Sequence, residues 1–369
     1  MDTLTQGLLG AVTAQLGFRQ RIGPSATAVA ALAAITPDLD VLAGPVLALA
    51  GAEPDGLVHL EAHRGITHSL LAAPLMALVM AALWWIARRR AAGQAHALRP
   101  PPAPRFGILY ACLLAAVLSH PLLDWCTSYG TQLLAPLTSA RYAADAVGII
   151  DIFYTPILAA TLLAAWVVRK ASRSTAARAT LAIGWAGFLL SVGYLAGGRL
   201  MHDRAVERVR GLVPAADAVR RADAYPTIGT IFLWRAVAET DRGWYVARVR
   251  PLGPAGAQPP ARFVPRVDNP WVRKALASPA AERYAWFAMD RVRAAYDERD
   301  GLRVAELHDM RYGWPLDSPE SLWPLRVTMD EDGQVLGAER VRSHQRGGPW
   351  DMARRIWRDL WSDGNKVAG

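Results

Sequence analysis

Residues 63–69 read HRGITHS, and they stand directly ahead of an apolar run that closes at Arg88. Two imidazoles five residues apart at the mouth of a membrane segment need a chemical reason, because ionisable groups there are costly unless paired or put to use. Three further polar clusters stand at the ends of apolar stretches in the same manner: TPDLD over Thr36–Asp40, SHPLLD over Ser119–Asp124, and Asp151 within IIDIFYT. Together they read as one metal site assembled from several helices.

The apolar stretches cover about 4–18, 24–42, 66–87, 106–124, 152–168 and 180–198. A spanning helix wants ~20 apolar residues; the last four stretches approach that length, and the first two read as a hairpin that enters the bilayer only in part. The expected fold is mostly α. Residues 1–198 form a polytopic helical membrane bundle of about six apolar helices, and 199–369 a small soluble α+β domain.

Charge supports the division. Up to Gly198 there are 13 Lys+Arg and 9 Asp+Glu, against 28 and 23 in the remainder, so the net +9 divides as +4 and +5, with charged residues far denser in the second half. In the first half the basic residues lie in short loops rather than along one helix face, which points to the lipid bilayer as partner and not to nucleic acid. Cys112 and Cys126, the only cysteines, exclude a disulfide framework. The opening MDTLTQGLLGAVTAQLGF lacks the basic start and cleavage site of a signal peptide and reads as a retained helix.

Orientation follows from the loops. Arg19 and Arg21, then Arg88, Arg89, Arg90, Arg99 and Arg105, then Arg169, Lys170, Arg173 and Arg178 fall on one side, with only Arg64 and Arg141 in the intervening loops. The basic side is expected to be cytoplasmic, with both termini and the second domain outside. On that topology Asp38, Asp40, His63, His68, His120, Asp124 and Asp151 all reach the outer ends of their segments, while the loop Ala91–Pro104 is an irregular cytoplasmic connection.

His120 and Asp124 are four apart, so on a helix they share a face and offer one nitrogen and one carboxylate to a single ion. A histidine merely hydrogen-bonded to a carboxylate one turn away would look the same. His63 and His68 cannot share a helix face, but Gly65 lets the chain turn between them; alternatively His63 and Arg64 meet lipid headgroups and Thr67 or Ser69 caps the next helix. Asp38, Asp40 and Asp151 are either ligands or helix-end residues. Glu53, Asp55, His59 and Glu61 read as solvated, with His59 and Glu61 as outer candidates. His96 falls on the opposite side, and His202, His308 and His344 have no partner at ligand spacing.

Three histidines and up to four carboxylates exceed one tetrahedral zinc and suffice for two ions, with manganese or iron also tolerated. The natural chemistry is hydrolysis, in which Asp38 or Asp40 takes the proton of a metal-activated water and Arg64 or a second ion stabilises the developing charge. Ser69 and Thr67 lack a Gly-x-Ser-x-Gly elbow.

In the second half, Met201–Arg221 reads as a charged helical stalk. Hairpins are expected for IFLWRAVAE with WYVARVR across Thr240–Gly243 and for PLRVTMD with VLGAERVR across Glu331–Gly333, and helix for Asn269–Asp300 with Asn-Pro at its start. Trp234, Trp244, Trp271, Trp286, Trp314, Trp323, Trp350 and Trp357 are core or membrane-surface residues.

PDLD, HRGITHSLL, LSHPLLDWCTSYGTQLLAP and IIDIFYTP, in that order over residues 1–170, resemble a bacterial family of inner-membrane proteins described as metal-dependent hydrolases and as LexA-binding. The resemblance implies a metal site and a hydrolytic activity. Members typically open with MDxLTHALLG, whose histidine corresponds to Gln6 here. A more distant similarity to zinc-dependent phospholipase C and to single-strand nucleases with three zinc ions implies a metal role for His120 and Asp124 and a phosphoester substrate, such as a lipid headgroup or lipid-linked intermediate. The competing expectation is a non-catalytic membrane protein with a structural or regulatory ion and an outer domain that binds a protein partner, whose identity the sequence leaves open.

Overall fold

Each of the six apolar stretches becomes helical, and helix length decides what each can do in a bilayer. The computed structural model describes the chain except residues 43–44, 47–48, 50–56, 95–104, 172–175, 255–257, 343–347 and 362–369, so the expectations for Glu53, Asp55, His96, His344 and most of the 91–104 loop lie outside the described residues. Asp2 opens α1 (Thr3–Gln15) by accepting from the Thr5 amide at 3.0 Å. A short α2 (Phe18–Ile22) leads to α3 (Ala26–Ile35), which passes into a 3-10 turn over Thr36–Leu42. Then come α4 (Val58–Ala62), a second 3-10 turn at Ile66–His68, α5 (Ala73–Gln94), α6 (Phe106–Trp125), α7 (Tyr154–Ala171) and α8 (Ala176–Leu212).

The expected bundle of about six membrane helices is corrected by this structure. At ~1.5 Å per residue, α1 and α3 are roughly 20 and 15 Å long, well short of a hydrocarbon core of about 30 Å. α7 closes on Arg169 and Lys170 and is not apolar enough to qualify. Among the described residues two helices are long and apolar enough to cross a membrane, Phe106–Trp125 and Ala177–Leu212; a third span exists if Val58–His68 and Ala73–Arg90, bent by 70° at their break, count as one. Composition overcounts because an Ala-rich helix packed inside protein and one facing lipid read alike.

That Ala-rich packing is what assembles the first unit (Met1–Val46, Ala62–Ala144 and Ile149–Ala196). Ala26, Ala30, Ala33 and Ala34 of α3, Ala73, Ala77 and Ala81 of α5, and Ala116 of α6 are fully buried in one cluster. Small residues let helix backbones approach closely, the usual device where lipid removes the hydrophobic drive between helices. The approach of α3 to α1 is close at Gly10, where an added Cβ would lie 2.4 Å from the Ala34 Cβ and 2.5 Å from the Ala30 carbonyl.

The second unit (Leu47–Glu61, Asp145–Gly148 and Gly197–Gly369) corrects the expectation of a small α+β domain: strands dominate it. Two four-stranded antiparallel meanders follow the chain, β1 (Val219–Pro226) to β4 (Arg262–Pro265) through β2 (Trp234–Thr240) and β3 (Gly243–Val249), and β5 (Val292–Arg299) to β8 (Val335–Arg340) through β6 (Leu302–Asp309) and β7 (Leu325–Met329). Both expected hairpins form, the first with Glu239 opposite Trp244, the second with Arg326 opposite Glu339. The expected helix over Asn269–Asp300 splits. Asn269 accepts from the Val272 amide at 2.8 Å and caps α9 (Pro270–Leu276), and Ser278 restarts α10 (Pro279–Phe287). Met289 and Asp290, at φ 51° and 61°, then turn the chain out of helix into β5. The stalk ends at Leu212 and β1 begins at Val219, earlier than Arg221. Trp234, Trp244 and Trp314 are core. α11 (Pro349–Trp361) closes the described chain.

A Gly10→Val substitution is expected to force α3 off α1 and to lower the melting temperature in detergent by several degrees, in line with ~1–3 kcal/mol for overpacking. Gly193→Ala, where nothing lies within 4 Å, is the control and should leave it unchanged or raised. Equal effects of the two would refute the packing argument.

Candidate metal centre

The site starts from Pro37. Lacking an amide hydrogen, it cannot extend the α3 hydrogen-bond ladder, so carbonyls at the helix end need other partners. Thr36 Oγ1 donates to the Ala33 carbonyl at 2.6 Å, and His120 Nδ1 meets the Ala34 carbonyl at 2.5 Å. A carbonyl only accepts, so this nitrogen carries the proton and, in a neutral ring, the lone pair sits on Nε2. His68 is held from its other side in the same way: Nδ1 lies 3.1 Å from Asp40 Oδ2 and 3.1 Å from Thr67 Oγ1. The two Nε2 atoms therefore face each other, 3.0 Å apart, in rings that are fully buried.

Two carboxylates converge on that gap. Asp38 Oδ1 lies 3.3 Å from His120 Nε2 and 3.5 Å from His68 Nε2, and the ligand atoms of these three residues all lie within 4.8 Å of one another. Asp124 Oδ2 lies 3.4 Å from His68 Nε2 and 3.5 Å from His120 Nε2; it is buried and has no hydrogen-bond partner of standard geometry. Two imidazole nitrogens and two carboxylate oxygens, one of them buried and unsatisfied, make a donor set that fits a divalent ion.

The remaining expected site residues do different work. Asp40 accepts from the Arg64 amide at 2.9 Å and holds His63 Nδ1 at 2.9 Å, so Asp40 and His63 support His68 from outside the donor set. The turn expected at Gly65 is made by Arg64, at φ 62°, a left-handed conformation costing an ordinary residue ~1–2 kcal/mol. The cost is met by the bonds that fix it. The Arg64 carbonyl accepts from the Gln132 amide at 3.0 Å, Nη1 donates to Thr127 Oγ1 at 2.7 Å, and Nε lies 3.1 Å from Asp124 Oδ2. Arg64 is thus occupied in neutralising a buried carboxylate. Ser69 Oγ accepts from the Leu71 and Ala72 amides and serves as a cap.

Asp151 is not brought to the cluster. Its Oδ1 accepts from the Phe153 and Tyr154 amides at 2.8 and 2.9 Å, capping α7, and both oxygens accept from the Tyr194 hydroxyl at 2.9 Å. His59 is exposed, and Glu61 pairs with Arg283 at 3.6 Å. His202 lies beside Arg199 and Asp203, while His308 accepts from the Ser321 amide and is kept neutral by burial, then by Arg293 and Arg235, which push it down to about 3.

Sequence reasoning did not identify Thr3 as part of the site, and it raised Gln6 only as the position that corresponds to the family's histidine. Gln6 Nε2 donates to Asp124 Oδ1 at 2.9 Å and to the His120 carbonyl at 3.3 Å, leaving Oδ2 of Asp124 turned toward the imidazoles. Met1 contributes its amine to the same Oδ1. Thr3 Oγ1 donates to Asp38 Oδ2 at 2.9 Å. Spacing gives no signal for these, because α1 reaches the site only through tertiary packing.

Burial alone would push the Asp38 and Asp40 carboxyls up. Hydrogen bonds with His120, His68 and Thr3 at Asp38, and with His63 and His68 at Asp40, outweigh it and hold both well below the usual carboxylate range. A carboxyl depressed in this way stabilises the fold fully above its unfolded value of about 4 and loses that contribution as pH falls toward the folded value. The gap in melting temperature between the protein and Asp40→Asn is therefore expected to be largest near neutral pH and to narrow below about pH 4. A gap constant across that range would contradict the assignment.

No curated protein and no solved structure matches the chain. The model of a bacterial membrane-protein family does match, over residues 1–200, a range that contains every residue of the cluster and both helices able to cross a bilayer up to the last turns of α8. With more than half of the sequence covered, the chain belongs to the YdjM inner membrane protein family.

Proposed function

We propose that this chain is a membrane-bound, metal-dependent hydrolase that cleaves a phosphoester of a lipid or lipid-linked molecule at the outer face of the inner membrane. The observation that carries the reading is the facing pair of Nε2 atoms, 3.0 Å apart, with both Nδ1 atoms committed to acceptors. Two lone pairs so placed repel unless a cation lies between them or one ring takes a second proton. The carboxylates of Asp38 and Asp124 at the same point stabilise positive charge in either form, and their oxygens complete a four-donor set for an ion. Two nitrogens and two carboxylates suit zinc first, with manganese or iron accommodated by the same set.

When bound, such an ion supplies Lewis acidity and a nucleophile at neutral pH. The chain supplies the rest. Asp38 spans the centre and a pocket of about 570 Å³, the size of a small-molecule site, and His63 lines the same pocket. With Nδ1 held by Asp40, His63 is an oriented imidazole suited to proton transfer at the substrate, a role the sequence had suggested for Asp38 or Asp40. The pocket wall includes Leu32, Leu39 and Val41, which are 58%, 58% and 45% exposed and present apolar surface for a lipid chain. Outward orientation rests on the distribution of basic loop residues.

A second reading, a closed structural ion, is favoured by the burial of His68, His120 and Asp124. Metal analysis of the detergent-purified protein is expected to give near-stoichiometric metal, lost in a His120→Ala, Asp124→Ala variant. His63→Gln is expected to keep the metal and to lose about 10²–10⁴-fold in hydrolysis of a phosphodiester panel, including phosphatidylglycerol, with KM little changed. Absence of metal even after reconstitution sinks the metal centre. Full metal occupancy without hydrolysis of any panel member favours the structural ion.

A further inference from the structure

The end of the first unit away from the metal centre carries positive charge that no carboxylate of the unit balances. Its carboxylates, Asp2, Asp38, Asp40, Asp124 and Asp151, are all committed to the centre or to helix caps. Residues 43–44, 95–104 and 172–175 contain no Asp or Glu and add none. α1 and α7 run side by side, tied by the Thr5 and Thr155 hydroxyls 2.7 Å apart at one end and by Gln15 and Arg169 at the other. Gln15 is 1% exposed, and Gly184 of α8 backs it so closely that an added Cβ would lie 2.8 Å from the Gln15 Cβ. Gln15 Oε1 accepts from Arg169 Nη1 at 3.1 Å, while its Nε2 donates to the Ala11 carbonyl at 3.2 Å and to Thr27 Oγ1 at 2.9 Å. Thr27 Oγ1 also accepts from Arg19 Nη1 at 3.3 Å, and the same nitrogen donates to the Pro24 carbonyl at 2.6 Å. Two guanidiniums are thereby fixed on one relay of neutral groups. Among the described residues neither has a carboxylate partner, and they are near enough for the charge of Arg19 to oppose that of Arg169. Neutral acceptors orient a guanidinium without cancelling its charge, so the pair needs an anion.

We infer that Arg19 and Arg169 form a binding site for a phosphate group, carried by an anionic phospholipid or free in solution. The planar guanidinium fork matches phosphate oxygens, and the Gln15 and Thr27 supports hold both forks before the ligand arrives, which cuts the ordering cost of binding. The surroundings bring lipid phosphates within reach. Phe18 and Ile22 of α2, on either side of Arg19, pack in one cluster with Trp84, Trp85 and Phe106. Arg88 and Arg89 lie over the Trp84 and Trp85 rings, 5.3 and 3.7 Å from their centroids, and Lys170, next to Arg169, lies 4.4 Å from that of Trp166. Tryptophan beside basic residues at a helix end is the pattern of the headgroup layer, where lipid phosphates reside. The site is separate from the metal centre, because α1 (Thr3–Gln15) puts roughly 20 Å between them.

The full chain, delipidated in mild detergent, is to be titrated with phosphatidylglycerol, phosphatidylcholine or inorganic phosphate, with bound adducts read by native mass spectrometry and melting temperature followed in parallel. Phosphatidylglycerol is expected to give a retained adduct and a higher melting temperature, and phosphatidylcholine neither. Arg19→Gln with Arg169→Gln should weaken the adduct about tenfold and abolish the shift. Arg21→Gln with Arg178→Gln removes the same charge from exposed residues of the same end, where Gln20 donates to the Ala177 carbonyl at 3.5 Å, and should retain both. Arg19→Lys with Arg169→Lys keeps the charge without the fork and is expected to bind at an intermediate level, a test that survives misfolding of the glutamine pair. A shift with phosphatidylglycerol alone, lost with Arg19 and Arg169, assigns the phosphate to lipid; the same loss of a shift that inorganic phosphate also gives assigns it to free phosphate. Equal weakening by the two glutamine pairs, equal binding of the two lipids, or no response to any of the three ligands overturns the proposal.

Discussion

Two histidines that point the same nitrogen at each other impose the strongest constraint in this molecule. Each ring is fixed by an acceptor at Nδ1, the Ala34 carbonyl for His120 and the Asp40 carboxylate for His68, so neither can turn to relieve the contact. Both acceptors trace to the interruption of α3 at Pro37. The missing amide opens the helix end, Thr36 and His120 satisfy its carbonyls, and the 3-10 turn that follows presents Asp38 and Asp40. One proline thereby sets both a support for each histidine and a carboxylate between them.

Bringing these groups together puts several charges where water is scarce, and a buried charge without partners is expensive. Asp124 is the critical case. It is 1% exposed and is surrounded by the Arg64 guanidinium, the Met1 amine, the Gln6 amide and two imidazoles. The left-handed backbone at Arg64 is tolerated because the residue is held at its amide, its carbonyl and its side chain at once. Close helix packing through alanine and Gly10 supplies the rigidity that such a site needs, since a shift of α3 would move the Ala34 acceptor and Asp38 together.

Much of the centre was legible in the sequence because ionisable residues at the ends of apolar stretches stand out by type and place. Asp38, His68, His120 and Asp124 do converge. Which of the seven expected ligands face the gap was not legible, because that depends on ring and carboxylate rotation set by residues far away in the chain. Asp151 has the same apolar neighbours as the others and is turned to helix capping by a short-range bond to the Tyr154 amide. The count of spans failed for a related reason: a ten-residue Ala-rich helix such as α3 is as apolar as a membrane segment, and it is buried against protein. In the second unit the turn residues gave the hairpins at Gly243 and Gly333, whereas the β5 strand was hidden because two short helices precede it and blur the periodicity.

The arrangement limits how any group can approach the cluster. His68, His120 and Asp124 are closed off by α1, α3 and α6, while Asp38 keeps 17% of its side-chain surface and borders the pocket with His63. From this pocket a group approaches the cluster past the Asp38 carboxylate, along a wall formed by Leu32, Ile35 and Leu39 at the end of α3 and the turn after it. With the proposed ion bound, an apolar approach of this kind would discriminate against free, fully hydrated anions, whose desolvation it could not repay, and would favour an anionic group carried on an apolar body whose burial offsets that cost. On that proposal selectivity would reside in the side chains of residues 32–41 that shape the approach, more than in the residues that would hold the ion.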